Sequence, residues 1–191
     1  MYVALGDSFT AGLDPDQPRW PDELARQLGG DYVNLASVGA TSEQVEREQL
    51  ERALELTPDV MTIVCGANDV LFSTRPDADE YAARLSRMFV RLRQELPNAA
   101  VVTATYPDIS RFADLRPRTR ARVEEGMRRF NSAVRSVARR HDVLLMDSTD
   151  HAAASDRATF AADGFHPSAE GHRRAAAEFM RALRKRLRLA A

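Results

Sequence analysis

The amino-acid sequence predicts an α/β protein, a three-layer α/β/α sandwich on about five parallel strands. Short apolar, β-branched-rich runs alternate with longer stretches whose apolar residues recur every 3.6 positions, the pattern of βα units. Helix-entry signals stand where one kind of segment gives way to the other. No linker, internal repeat or low-complexity stretch interrupts the alternation, so residues 1–191 read as one domain.

The elements follow in order. Residues 2–5 form the first strand and residues 21–28 the first helix, with Trp20 packing at its start. Residues 32–36 form the second strand, and 42–56 the second helix, where Thr41 and Gln44 make a capping box. The third strand, 60–65, ends at Cys65, expected as a buried thiol. In the helix 80–96, Tyr81, Leu85, Met88, Phe89, Leu92 and Leu96 share one face; in the helix 118–139, Val123, Met127, Phe130, Val134 and Val137 do so. The fourth and fifth strands are 100–105 and 143–146, and the last helix is 168–187, entered at Ser168 after Pro167. Right-handed crossovers would lay these apolar stripes on both faces of one sheet.

A chain of 191 residues, 44% of them hydrophobic, buries roughly 70% of its unfolded surface and needs no covalent staple. The single Cys65 excludes an internal disulfide, and without Cys-x-x-Cys or His-x-x-x-His spacing neither a metal nor another cofactor is expected. No apolar run nears the roughly 18 residues that cross a bilayer, and no basic segment precedes the N-terminal strand, so a cytoplasmic location is expected. The net charge of −1 hides a division: −9 over residues 1–69 and +8 over residues 70–191. Arginines cluster at 116–140 and 173–188, which raises nucleic-acid binding as a possibility. Both clusters lie on segments of helical spacing without interleaved aromatics, so solvated helix faces and no nucleic-acid partner are expected.

In open parallel sheets, ligands sit beyond the carboxyl ends of the strands. After the first strand comes Gly6-Asp7-Ser8-Phe9-Thr10-Ala11-Gly12, which puts a hydroxyl in a Gly-flanked turn. Taken alone, Ser8 fits a turn cap as well as a nucleophile. After the second strand, Gly39 can offer an unobstructed N–H at a helix entry. After the third, Asn68 stands in Gly66-Ala67-Asn68-Asp69, where an amide is equally an ordinary loop residue. Before the last helix, Asp163-Gly164-Phe165-His166-Pro167 supplies both a base and the carboxylate that would orient it, which is what a nucleophilic serine needs.

Together the blocks Gly6-Asp7-Ser8, Gly39, Gly66-x-Asn68-Asp69 and Asp163-x-x-His166-Pro167 resemble the SGNH (GDSL-type) hydrolases over residues 6–167. The resemblance implies a flavodoxin-like sandwich and a serine ester hydrolase. Ser8 would be the nucleophile, His166 the general base and then acid, and Asp163 the residue orienting His166. The N–H groups of Ser8 and Gly39 and the Asn68 amide would form the oxyanion hole. One departure is Ser42, which stands where the family carries a second Gly and bears on the shape of that loop.

The expected substrate is a small-molecule ester of a small or medium acyl group, cleaved through an acyl-enzyme. Thioesterase, deacetylase, lysophospholipase and acyltransferase activities would use the same residues. A non-enzymatic binding module on the same fold is the alternative of another class; it predicts the loss of at least one essential residue, none of which is missing, and Ser8 and His166 far apart would revive it. Candidate substrate contacts are Leu71 and Phe72 after Asn68, and Tyr106, Pro107, Ile109 and Phe112 after the fourth strand. Phe72 and Phe112 fit satellite core equally well. His141, His151 and His172 are expected in surface or capping roles, and Asp7 and Asp69 as loop anchors. Asp147 and Asp150 rival Asp163 as the acid, which is preferred for its spacing to His166.

Overall fold

The computed structural model describes residues 1–14, 16–149 and 156–187, with side chains to residue 184; Asp150 and His151 lie outside the described residues. Five parallel strands, β1 (Tyr2–Gly6), β2 (Tyr32–Asn34), β3 (Val60–Val64), β4 (Ala100–Ala104) and β5 (Leu144–Met146), pair in the order β2-β1-β3-β4-β5. Among the described residues the α-helical segments are α1 (Ser8–Ala11), α2 (Trp20–Leu28), α3 (Ser42–Gln44), α4 (Leu50–Glu55), α5 (Ala67–Leu71), α6 (Ala78–Glu95), α7 (Pro117–Arg140) and α8 (Ala169–Leu187). A 3-10 turn, Arg157–Thr159, precedes α8. Helices α2 and α8 pack together on one face, while α4, α6 and α7 cover the other, so the layers are those the alternation predicts.

The stripes face inward as their spacing requires. Val123, Met127, Phe130, Val134 and Val137 of α7 are all buried, as are Leu85, Met88, Phe89 and Leu92 of α6. Each such side chain contributes on the order of 2 kcal/mol of burial. Trp20 stacks on Phe179 with ring centroids 4.1 Å apart, which locks α2 to α8. Cys65 is buried. Some arginines of the two clusters pair with carboxylates on the helix surfaces, as in Arg128–Glu125, Arg174–Glu170 and Arg181–Glu178, while Arg120 and Arg122 donate to backbone carbonyls. Among the described residues no helix is long and apolar enough to cross a membrane.

Local departures from the expected elements have local causes. Regular pairing of β2 ends at Asn34, whose side chain accepts from the Ala36 N–H and donates to the Thr10 carbonyl, while the Leu35 and Ser37 N–H groups still donate to the Ala4 and Gly6 carbonyls of β1. Short helices α1 and α5 replace the loops expected after β1 and β3. The segment 42–56 is helical but contains a π turn, Val45–Gln49, closed by Leu50 N–H donating to the Val45 carbonyl.

Strand order fixes where a ligand can sit. β1 is followed in sequence by β2 on one side and paired with β3 on the other, so the crevice at the carboxyl ends of β1 and β3 is the topological switch point. α1 and α5 both begin there.

Candidate active site

Gly6 makes the turn out of β1. Its φ is +154°, and a Cβ would lie 2.3 Å from the Val64 carbonyl oxygen, so only glycine fits. Asp7 follows, wholly buried, and caps α1 by accepting from the Phe9 N–H at 3.0 Å. Its other oxygen accepts from the Tyr106 hydroxyl at 2.6 Å. Tyr106 is held in turn by Asn131 of α7, whose amide bonds both its N–H and its carbonyl at 2.9 Å. Ser8 therefore opens a helical turn whose cap is clamped from behind.

His166 reaches Ser8 across 158 positions of sequence, with Ser8 Oγ 3.0 Å from His166 Nε2. Its Nδ1 lies 2.6 Å from Asp163 Oδ2, and the other carboxylate oxygen accepts from the N–H groups of Phe165 at 2.9 Å and His166 at 3.0 Å. With its Nδ1 proton directed at Asp163, the ring presents Nε2 as an acceptor for the Ser8 hydroxyl. Burial raises Asp163, but the bonds from His166 and the two N–H groups outweigh it and hold the carboxyl below its ordinary range. Phe9 and Phe165 flank the imidazole, at centroid distances of 5.6 and 4.7 Å. Gly164 lets the loop turn at φ +70°, where a Cβ would strike the Phe112 carbonyl.

The segments after β2 and β3 leave the same end of the sheet as the Ser8 turn, because both strands flank β1 in parallel. Gly39 has φ +80° with open space beside its Cα. Asn68, 6% exposed in the first turn of α5, donates from Nδ2 to the Ala40 carbonyl at 3.0 Å, joining the two segments. Asp69 accepts from the Ser42 N–H at 2.8 Å and the Ser42 hydroxyl at 2.5 Å. Arg84 donates to the same hydroxyl at 3.0 Å. Ser42, the departure from the family pattern, thus anchors the Gly39 loop to α5.

The other expected residues fall elsewhere. Asp147 pairs with Arg135 at 2.6 Å, away from His166, and Thr105 and Thr149 bond the same carboxylate. His141 ends α7 and bonds Ser86 at 2.7 Å. His172 is buried instead of lying on a surface, and its Nδ1 accepts the Trp20 N–H at 3.2 Å, capping α2. Ile109 is in the core, and Tyr106, though buried, lines with Pro107 a cavity of about 220 Å³ against α8. Phe112 packs on Phe160, Leu71 is half-buried, and Phe72 is 71% exposed. A cavity of about 100 Å³ opens beside Ser8 and His166, with Leu13, Gln17 and His172 in its wall. Its α1–α2 loop residues were not anticipated, because that loop carries no motif. Gln49 and Asn131 were also missed, although each is a polar residue on an otherwise apolar stripe, which is the signal that marks them.

The comparisons add the family. The profile of the GDSL-like Lipase/Acylhydrolase family matches residues 4–174. The chain belongs to this family. GDSL-type proteins of this kind are ester-hydrolysing enzymes, and so is this one. The fold is shared with a GDSL-like protein from Parabacteroides merdae (TM-score 0.80, 20% identity, 95% of this chain and 94% of that one). It is shared too with an acetylxylan esterase from Geobacillus stearothermophilus (0.75, 22%, 95% and 92%). An extracellular lipase from Streptomyces rimosus is similar as well (0.75, 19%, 95% and 98%). No curated protein matches the sequence.

Two buried groups of this GDSL-type site give opposite pH signatures. Burial lifts Asp7 from 3.8 to about 7, against its bonds from Tyr106 and Phe9. The folded state then holds a proton the unfolded state has lost, so this contribution to stability is lost as pH rises from about 4 through about 7. Burial lowers His172 from 6.5 to about 4, so its contribution is lost as pH falls from 6.5 towards 4. Urea midpoints between pH 4 and 8 are expected to rise more steeply with pH in Asp7→Asn than in wild type, and less steeply in His172→Gln. Parallel curves for all three proteins contradict the assignment.

Proposed function

We propose that this ester hydrolase works through an acyl-enzyme on Ser8. His166 Nε2 takes the Ser8 proton as Oγ attacks the ester carbonyl, and Asp163 holds the imidazolium that forms. The tetrahedral oxyanion accepts from the N–H groups of Ser8 and Gly39 and from Asn68 Nδ2. Collapse expels the alcohol, which takes its proton from His166. Water, deprotonated by His166, then releases the acid and restores Ser8. The observation that carries this reading is the unbroken bond series Ser8–His166–Asp163 at 3.0 and 2.6 Å.

The preferred substrate is an ester of a small or medium acyl group. Supporting this, the cavity beside Ser8, at about 100 Å³, is well under the ~300 Å³ floor of drug-sized sites. Leu13, which is 54% exposed, stands in the wall of that cavity and offers an apolar surface to an acyl chain. A fluorophosphonate tests the nucleophile without a choice of substrate. Intact-mass analysis is expected to give one adduct, mapped to Ser8 and missing from Ser8→Ala; a folded wild-type protein that takes no adduct overturns the reading.

A further inference from the structure

We propose that Gln49 is a positioning residue that sets the spacing between the Ser8 turn and the Gly39 loop, and with it the alignment of the oxyanion donors. The inference rests on the roles given to Ser8 and Gly39 above.

Gln49 is 4% exposed and lies among Val45, Leu50 and Ala53 on the buried side of its helix. Burying a side-chain amide there is costly unless it is bonded, and this one is bonded throughout. Its Oε1 accepts the Gly6 N–H at 2.8 Å, and its Nε2 donates to the Gly6 carbonyl at 3.0 Å and to Ser37 Oγ at 3.3 Å. Gly6 is two residues before Ser8, and Ser37 is two residues before Gly39. One amide therefore ties together the approaches to the nucleophile and to an oxyanion donor.

The sheet explains why a side chain is needed at this place. β1 runs on to Gly6, but the regular pairing of β2 ends at Asn34. The Ser37 N–H still donates to the Gly6 carbonyl at 3.2 Å, yet the Gly6 N–H takes Gln49 Oε1 as its acceptor. The Gln49 amide thus replaces the missing peptide of β2. The π turn Val45–Gln49 brings it there: the inserted residue re-phases the helix, so that Gln49 points at the sheet end while Leu50, Ala53 and Leu54 stay buried. A group that only filled the core would need no such pattern, and a methionine of similar volume would serve.

The test uses p-nitrophenyl acetate and a fluorophosphonate on the full chain. Gln49→Met, which keeps volume and removes all three bonds, is expected to lower kcat about 10- to 100-fold while KM stays within about threefold, because misplacing reacting groups by an ångström costs rate on this scale. The fluorophosphonate labelling rate should fall in proportion. Thr103→Val is the stability control: it removes a buried bond of 2.8 Å to the Ile63 carbonyl in the same sheet, and should lower Tm without lowering kcat. Ser37→Ala trims one arm of the clamp at an exposed residue, so it folds even if Gln49→Met does not, and a smaller fall in kcat is expected with Tm unchanged. Wild-type kcat in Ser37→Ala and in folded Gln49→Met overturns the inference. Activity retained in Ser8→Ala overturns instead the site assignment beneath it.

Discussion

Ser8→Ala is expected to lower kcat by about 10⁴- to 10⁶-fold, leaving only the rate that binding and oxyanion donors supply without a nucleophile. The fold should be almost untouched. Ser8 Oγ makes one described bond, to His166, and the cap of α1 is Asp7, whose bond to the Phe9 N–H does not involve the hydroxyl. The aromatic rings of Phe9 and Phe165 and the carboxylate of Asp163 continue to hold the imidazole in place. Tm within a degree or two of wild type, together with the lost turnover, separates chemistry from folding. A Ser8→Ala protein that hydrolyses p-nitrophenyl acetate within about tenfold of wild type would move the nucleophile elsewhere.

Asn68→Ala is expected to cost about 10²- to 10³-fold in kcat with a much smaller change in KM, the size found for loss of one side-chain donor to a developing oxyanion. The same side chain has a structural bond, from Nδ2 to the Ala40 carbonyl, whose loss should cost about 1 kcal/mol of stability. Asn68→Asp also loses the bond to Ala40, so Tm reads the structural role and kcat the catalytic one. It keeps the shape but supplies no N–H and places a negative charge against the oxyanion, so turnover should fall at least as far as in Asn68→Ala. Equal kcat in wild type and Asn68→Asp would leave Asn68 with the structural bond alone. The prediction depends on the Gly39 loop staying in place, which the Asp69–Ser42 bonds provide at 2.8 and 2.5 Å.

Much of this was legible before any coordinates. The helices of the 80–96 and 118–139 segments were marked by stripes of period 3.6, and the strands by short β-branched runs, because both patterns are written in near neighbours. The blocks around Ser8, Gly39, Asn68 and Asp163–His166 were equally visible, since each is a few residues long and sits at a strand end. Other features were hidden. α1 and α5 are too short for a period to show, and the π turn leaves no mark in the composition of 45–49. His172 stands in a charged stretch that gives no hint of burial; only the packing of α8 against α2 brings its ring to the Trp20 N–H, 152 positions away.

The division follows from range. The sequence by itself determined the order of strands and helices, the class of chemistry and the residues suited to carry it, because periodicity, caps and short motifs are local. The tertiary structure alone decided that Asp7 is shut away beneath Tyr106 and Asn131, that Ser42 and Asp69 bind the Gly39 loop to α5, and that Gln49 completes the sheet where β2 stops. The Tyr106 carbonyl, the Ser42 N–H and the Gly6 N–H each meet a polar side chain 25 to 43 positions away, and the Asp7 carboxylate meets the Tyr106 hydroxyl across 99. Which distant side chain meets such a group depends on how the layers pack, and no local pattern records it.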